Sequence, residues 1–388
     1  MSLDEEDWRH GRITDEALKD MRAQIGVRQP ISAPWSRDVN ADAVWHFALG
    51  VGDDNPLWWD RAYAEKSSAG RMYAPPAFLY VATHEFPPPG AELRVGDAEW
   101  LPGVMGLWAG DRWKWHSRVW VGDEIHAHRE LVEVRERQGG AFGERSVVQT
   151  ERMTFDDPGG RAVAELYRTV LRFERSSGRD RNKYLGLPEA TYTAAQREEI
   201  IAQYAREADA RRGAEPRFWE DVQVGDSILP LVKGPLTLTN LIGWLLGWGS
   251  PQCPTNRMLY GWLDQHPAAR IRDPITGLDH TLEVAHWDEY FARESGMARG
   301  YDFGAQRISW LAHVVTDWCG DDGELLELDA RLRGPNFLGD TTWFTGRVTG
   351  KTRTGGDAVA ALAIVGTNQR GEVTTTATAA VKLSTRSV

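Results

Sequence analysis

The chain has 388 residues, 41% of them hydrophobic and 26% charged, with a formal net charge of -11. That length exceeds one ordinary hydrophobic core and predicts two domains or two fused halves. The acidic balance excludes a phosphate-backbone partner, which needs clustered Lys and Arg. The first residues, "MSLDEEDWRHGR", are acidic and carry no apolar core, so no secretory or transit signal is expected. No apolar run reaches membrane-spanning length, and the expected location is the cytoplasm. Two cysteines, Cys253 and Cys319, lie far apart, which excludes a disulfide framework or a cysteine zinc site. Eighteen tryptophans, several in near-pairs, indicate aromatic packing or an apolar pocket.

In chain order, "NADAVWHFALG" predicts a short helix with Asn40 as N-cap and Gly50 as stop. "GDDNPLWWDRAYAEKSSAG" follows, then an apolar helical run, "PPAFLYVATHEF". Period-two segments come next, over "HSRVWVGDEIHAHRELVEVRER", "RSVVQTERMTFDD" and "RAVAELYRTVLRFER", and predict antiparallel strands. A polar segment, residues 176–216, holds "TAAQREEIIAQYAREADARR"; Thr193 and Gln196 have capping-box spacing, so a solvent-facing linker helix is expected.

The second half repeats the order. "AHWDEYFARESGMARGYDFG" leads into "AQRISWLAHVVTDW", where Ile308, Leu311, Ala312 and Val315 fall on one helical face. Strand-like segments follow from "LLELDARLRGP" to "TTTATAAVKLS". Residues 250–282 form an insert the first half lacks, and its Leu259, Tyr260 and Trp262 favour a folded lid. The expected divisions are 1–175, the linker 176–216 and 217–388. Each half is an apolar helix plus antiparallel strands, an α+β arrangement in which the sheet buries its greasy face on the helix.

Those parts resemble the MaoC-like dehydratase family in its double-hotdog form, two fused copies of a sheet wrapped around a central helix. The resemblance rests on "GDDNPLWWDRAYA", on "HWDEYFARESGMARGYDFG" and on "FLGDTTWFTGRVTG", and it covers nearly the whole chain apart from linker and insert. The family motif is D-x-N-P-x-H-x-D. It implies reversible hydration of a 2-enoyl thioester on coenzyme A or a carrier protein, with no other cofactor; His126 and His128 alternate on a strand without a third ligand, so no metal is expected. Nucleic-acid and membrane partners are not expected, and the two halves would pair as a pseudo-dimer or as a dimer of such chains.

Hydration needs a base for water, an acid for the α-carbon and donors for the thioester oxygen. On the motif, Asp53, Asn55, Pro56 and Asp60 match in the first half, but Trp58 stands in the histidine slot. That half is expected to be degenerate and to receive the acyl chain. In the second half His286 fills the slot and Asp288 matches Asp60, yet Thr281 replaces the Asp and Glu283 the Asn. Three carboxylates could partner His286: Glu283, one from the insert (Asp264, Asp273 or Asp279), or Asp53 acting across the halves. Asp53 is alternatively a tie that holds its own loop. His280 is a partner or a spectator. Gly304 takes the place of the glycine whose N–H faces the thioester oxygen. Asp302, Arg307, Trp310 and Trp58 are the expected substrate contacts, with Asp302 orienting His286, an arginine or a substrate hydroxyl. A coenzyme A patch would draw on Arg331, Arg333 or Lys351. The tryptophans and the insert suggest a bulky or aromatic acyl group. The rival expectations are a catalytically silent thioester-binding partner subunit and a thioesterase on the same fold.

Overall fold

A computed structural model describes residues 11–86, 101, 103–140, 143–174, 177, 183–354 and 356–386. The acidic stretch at residues 1–10 lies outside the described residues. Ten strands form one antiparallel sheet, in the order β1-β3-β4-β5-β2-β9-β12-β11-β10-β6. The first half supplies β1 (Arg28–Ile31), β2 (Met105–Trp115), β3 (His126–Gln138), β4 (Arg145–Asp156) and β5 (Ala162–Phe173). The second supplies β6 (Ser227–Lys233), β9 (Glu324–Leu332), β10 (Thr342–Thr354), β11 (Asp357–Asn368) and β12 (Val373–Lys382). Between them, β7 (Arg270–Arg272) and β8 (Asp279–Thr281) make a separate hairpin inside residues 250–282.

The halves meet where β2 pairs with β9, Trp113 opposite Leu328 and Asp111 opposite Ala330. Gly110 makes that seam possible. Its φ is +153°, and a Cβ there would stand 2.1 Å from the Ala330 carbonyl oxygen. The register of β2 on β5 slips at this point, between Trp108 and Gly110.

Eight α-helices are described: α1 (Asp15–Ala23), α2 (Ala41–Val51), α3 (Arg61–Lys66), α4 (Ala194–Ala210), α5 (Leu238–Trp248), α6 (Arg257–Gln265), α7 (Glu289–Glu294) and α8 (Gly304–Cys319). Helix α2 is capped by the Asn40 side chain, and helix α4 carries the Thr193–Gln196 capping box. Helices α2 and α5 are matching elements of the two halves and touch backbone to backbone. A Cβ on Gly50 would lie 2.8 Å from the Gly243 oxygen, and one on Gly247 would lie 2.5 Å from the His46 oxygen.

Helix α8 is buried on every side from Ala305 to Val315 and joins one hydrophobic core with both sheet halves. The matching run in the first half departs from expectation. Pro76–Ala82 forms a short 3₁₀ helix, and Thr83 ends it by donating its hydroxyl to the Tyr80 carbonyl at 2.8 Å. Two prolines at its start remove the amide donors that a longer helix would use. Among the described residues, α8 is therefore the one long helix inside the sheet.

Candidate active site

His286 and Glu283 sit on the 3₁₀ turn Leu282–His286, and residues three apart on such a turn eclipse one another. Both side chains consequently face one cavity of about 380 Å³, bounded also by Trp108, Gln149, Arg168 and Trp262. The ring of His286 stacks on Phe303 with centroids 3.9 Å apart. Its Nδ1 lies 2.8 Å from the Tyr301 carbonyl oxygen. A carbonyl only accepts, so Nδ1 carries the hydrogen and Nε2 keeps a free lone pair. Burial pulls the imidazole down to about 4, partly offset by the Tyr301 bond. His286 is thus neutral at pH 7 and able to take a proton.

Glu283 is buried, and its main partner comes from the start of the insert: the Ser250 hydroxyl donates to Oε1 at 2.9 Å. Burial lifts its carboxyl to about 7, against the lowering effect of Ser250. A neutral base and a half-protonated acid on one face are groups fit to move two protons in opposite directions.

A smaller cavity of about 170 Å³ shares Gly106, Trp108, His286 and Tyr301 with the first and reaches Gly304. Gly304 opens α8, whose N-terminus has no side-chain cap, so its first N–H groups are open donors on the positive end of a 16-residue helix. Only glycine fits, because a Cβ would lie 2.2 Å from Cγ of Trp108. Trp108 is held in turn by Asp111, which accepts from its Nε1 at 2.6 Å.

The other expected residues fall in different places. Asp302 and Arg307 line the smaller cavity but are locked to each other, fully buried, with Nε of Arg307 2.7 Å from Asp302. Asp302 also accepts from the backbone and side chain of Asn336, and Arg307 donates to the Gly334 carbonyl at 2.6 Å. Asp302 is therefore matched to an arginine, one of the three partners expected for it, and has no bond to His286. Trp310 is elsewhere: its Nε1 donates to the Val51 carbonyl at 3.2 Å, and it borders a cleft of about 700 Å³ by α2 and α5. Of the coenzyme A candidates, Arg333 borders the smaller cavity. Arg331 pairs with Asp329 at 3.1 Å, and Lys351 stacks over Trp219.

Residues 250–282 hold helix α6 and the β7–β8 hairpin, and Pro251, Gln252, Trp262, His266 and Leu282 among them line the larger cavity. Its carboxylates do not reach His286. Asp264 and Asp279 are held by Arg270 at 3.0 and 3.2 Å, while Asp273 accepts from its own turn at Ile275 and Thr276. His280 lies 3.8 Å from Asp273 and borders neither cavity that contains His286.

Asp53 borders neither cavity that contains His286. It accepts the Asn55 N–H at 3.0 Å and the Trp58 indole N–H at 2.8 Å, so Trp58 is bound to the motif aspartate and faces Tyr73. Opposite Asp53 stands His313 of α8, which the sequence reading passed over. Its Nε2 is 3.5 Å from Asp53, 3.6 Å from Glu207 and 3.3 Å from Asp317. Asp53, His313 and Asp317 are the one group able to ligate a metal among the described residues. Lys233 and Arg211, each 3.7 Å from a carboxylate of this cluster, already balance two of its three acids. Burial lowers the pKa of His313, but Asp53 and Asp317 raise it and the net shift is upward, which favours the imidazolium among these acids, as in a buried ion network.

Comparison with known proteins was made against this geometry. Residues 23–166 match the model of the FAS1-like dehydratase domain region. A solved MaoC-like dehydratase superposes with TM-score 0.63 and 17% identity over 94% of this chain and 100% of its own. A mycobacterial protein from Mycobacterium tuberculosis described as having a double hotdog fold gives 0.55 and 13%, over 94% and 97%. The fold is a double hotdog. A putative MaoC domain dehydratase from Chloroflexus aurantiacus gives 0.54 and 15%, over 94% and 96%, so the expected likeness to MaoC-like dehydratases is met in fold. No curated protein sequence matches the chain. No helix among the described residues of this double hotdog is long and apolar enough to cross a membrane.

Proposed function

We propose that the protein is a hydro-lyase that adds water reversibly across the double bond of a 2-enoyl thioester. The observation that carries this reading is the pairing of a neutral His286, Nε2 free, with a half-protonated Glu283 on one face of one turn, beside the open N-terminus of α8. The likeness in fold to MaoC-like dehydratases supports it.

In this reading the thioester oxygen lies against the Gly304 N–H, where the helix end stabilises developing enolate charge. His286 Nε2 takes a proton from water as the oxygen bonds to the β-carbon. Glu283 delivers its proton to the α-carbon, and dehydration runs through the same groups in reverse. The pair carries one proton before and after hydration, on Glu283 before it and on His286 after it. Trp58 cannot transfer a proton, so the first half contributes wall and scaffold. A coenzyme A or carrier-protein thioester is the substrate class proposed.

The test follows loss of enoyl absorbance for a panel of 2-enoyl-coenzyme A thioesters, with wild type, Glu283→Gln and His286→Asn. Hydration by wild type that drops by about 10²- to 10⁴-fold in each variant is the expected result. Binding of the thioesters without turnover in wild type would instead make the chain a silent acyl-binding subunit. Release of free thiol without hydration would make it a thioesterase.

A further inference from the structure

The wall opposite Glu283 and His286 belongs to the inner face of the first-half sheet. Along β4 and β5 that face begins apolar, with Phe155, Met153, Ala164 and Leu166 all in the core. Two residues further along each strand, on the same face, it turns polar: Glu151 and Gln149 on β4, Arg168 on β5. These three line the larger cavity and are themselves at least nine-tenths buried, with exposures of 6, 6 and 9%. They are held in place by one another. Gln149 donates to Glu151 Oε1 at 3.1 Å, and Arg168 donates to Glu151 Oε2 from Nε at 3.2 Å. Arg129 and Arg172 border the same cavity.

The order of groups along the site says what meets this wall. Gly304, the donor for the thioester oxygen, opens on the smaller cavity; Glu283 opens on the larger; His286 borders both. A thioester lying with its carbonyl at Gly304 and its β-carbon at His286 directs the rest of its acyl group into the larger cavity, against Gln149, Glu151 and Arg168. A hydrocarbon there would strip water from buried polar atoms and return no hydrogen bond. The tryptophans give little support to a bulky aromatic acyl group, because Trp58, Trp113, Trp115, Trp244 and Trp248 pack in the core and, among the described residues, only Trp108 and Trp262 border this cavity.

Resting on the hydratase reading, we infer that the acyl group is oxygen-substituted beyond its β-carbon, with a hydroxyl or carboxyl that hydrogen-bonds to Gln149 and the Arg168–Glu151 pair. The substrate class is a short polar 2-enoyl thioester. Gln149 and Arg168 are its specificity-determining residues, and the matching polar atoms on the substrate return hydrogen bonds to this buried wall.

The experiment compares kcat/KM of the full chain on 2-enoyl thioesters matched in length and ending in methyl, hydroxyl or carboxylate. Each is presented both on coenzyme A and on pantetheine, which lacks the nucleotide phosphates. The expected result is a preference of about 10²-fold or more for hydroxyl or carboxylate over methyl, on both carriers. Gln149→Leu should narrow that ratio by about tenfold. The paired replacement Glu151→Leu/Arg168→Met, which leaves no buried charge unmatched, should narrow it as far or further. A preference for the methyl-ended thioester, or a ratio unmoved by both variants, overturns the inference and leaves the hydratase reading standing. A polar preference that vanishes on pantetheine also overturns it and reassigns the polar wall to the carrier. Hydration of no member overturns the hydratase reading and this inference with it.

Discussion

The loops Asp53–Asp60 and Thr281–Asp288 are two copies of one piece of architecture with opposite fates. Each contains a 3₁₀ turn, Pro56–Trp58 in one and Leu282–His286 in the other. Each ends on an aspartate that caps the next short helix. They differ in where α8 receives them. The first lies against the middle of the helix, where Asp53 faces the buried His313 and borders a void of only about 10 Å³, while Asn55, Leu57 and Trp58 line a separate cavity of about 60 Å³. The second lies by the helix N-terminus, beside two cavities. Retention of the motif aspartate therefore says little about chemistry. An acid and a base need room for substrate, and the motif aspartate of the first half has far less of it than His286 and Glu283.

The largest effect expected is on turnover, and it separates the two loops. His286→Asn should lower kcat by about 10²- to 10⁴-fold, whereas Trp58→His should restore no activity in the first half, since Asp53 borders a void of only about 10 Å³ and the cavity beside Trp58 is about 60 Å³. The pH profile sharpens the point. With Glu283 at about 7 and His286 at about 4, hydration needs the first protonated and the second neutral. The rate should hold between those values and fall as pH rises through about 7. Glu283→Asp should move that alkaline limb, and a limb that stays put would remove Glu283 from the mechanism.

Next in size is the ion network of the first loop. Burial pulls the pKa of His313 down, but Asp53 and Asp317 push it up, and the net shift is upward despite Lys233. A group raised in the folded state stabilises fully below its unfolded value near 6.5, and that contribution is lost as pH rises through the folded value. His313→Asn should cost about 3 to 5 kcal/mol at pH 6, because it leaves buried carboxylates unmatched, and less at high pH. Denaturant midpoints measured from pH 6 to 9 check this. A loss independent of pH would mean that the imidazole acts through packing alone.

Glu283 gives the converse. Its carboxyl, raised from 4.5 to about 7, holds a proton in the folded chain that the unfolded chain has released, so stability falls as pH rises through that window. Glu283→Gln should therefore stabilise the protein at pH 8 by up to about 3 kcal/mol while having little effect at pH 4.5, a gain bought with activity. Equal unfolding midpoints of wild type and variant at pH 8 would argue against a buried, raised carboxyl.

Much of this contrast was legible in the sequence, and the gaps have identifiable causes. The strands from His126 to Phe173 and from Glu324 to Lys382 follow a clear period of two, and α8 a clear helical period. β2 escaped because Gly106, Gly110 and the bulge between Trp108 and Gly110 break its alternation, although this strand joins the halves. His286, Glu283 and Gly304 could be found by aligning one half on the other. Ser250, Trp108 and His313 could not, because each meets its loop only through tertiary contact, across 33 residues for Ser250 and Glu283. Asp53 illustrates the limit. Its spacing fits catalysis and tying equally, and only the indole of Trp58 and the ring of His313 around it separate the two roles.

The smallest effect tests whether the loops remain equivalent as structure. Asp60 accepts from the Tyr63 N–H at 3.1 Å, and Asp288 from Tyr290 and Phe291 at 2.9 and 3.3 Å. Both caps satisfy donors at the start of a six-residue helix. Asp60→Ala and Asp288→Ala should therefore cost about 1 kcal/mol each in unfolding free energy. Only the second should also disturb turnover, because Asp288 lies two residues beyond His286 and fixes the end of the turn that presents it. Equal losses of stability with a rate defect confined to Asp288→Ala would show that the two loops differ in what they face, while their local architecture is the same. A matching rate defect in Asp60→Ala would instead require that the first loop reach the catalytic cavity, which the surroundings of Asp53 give it no means to do.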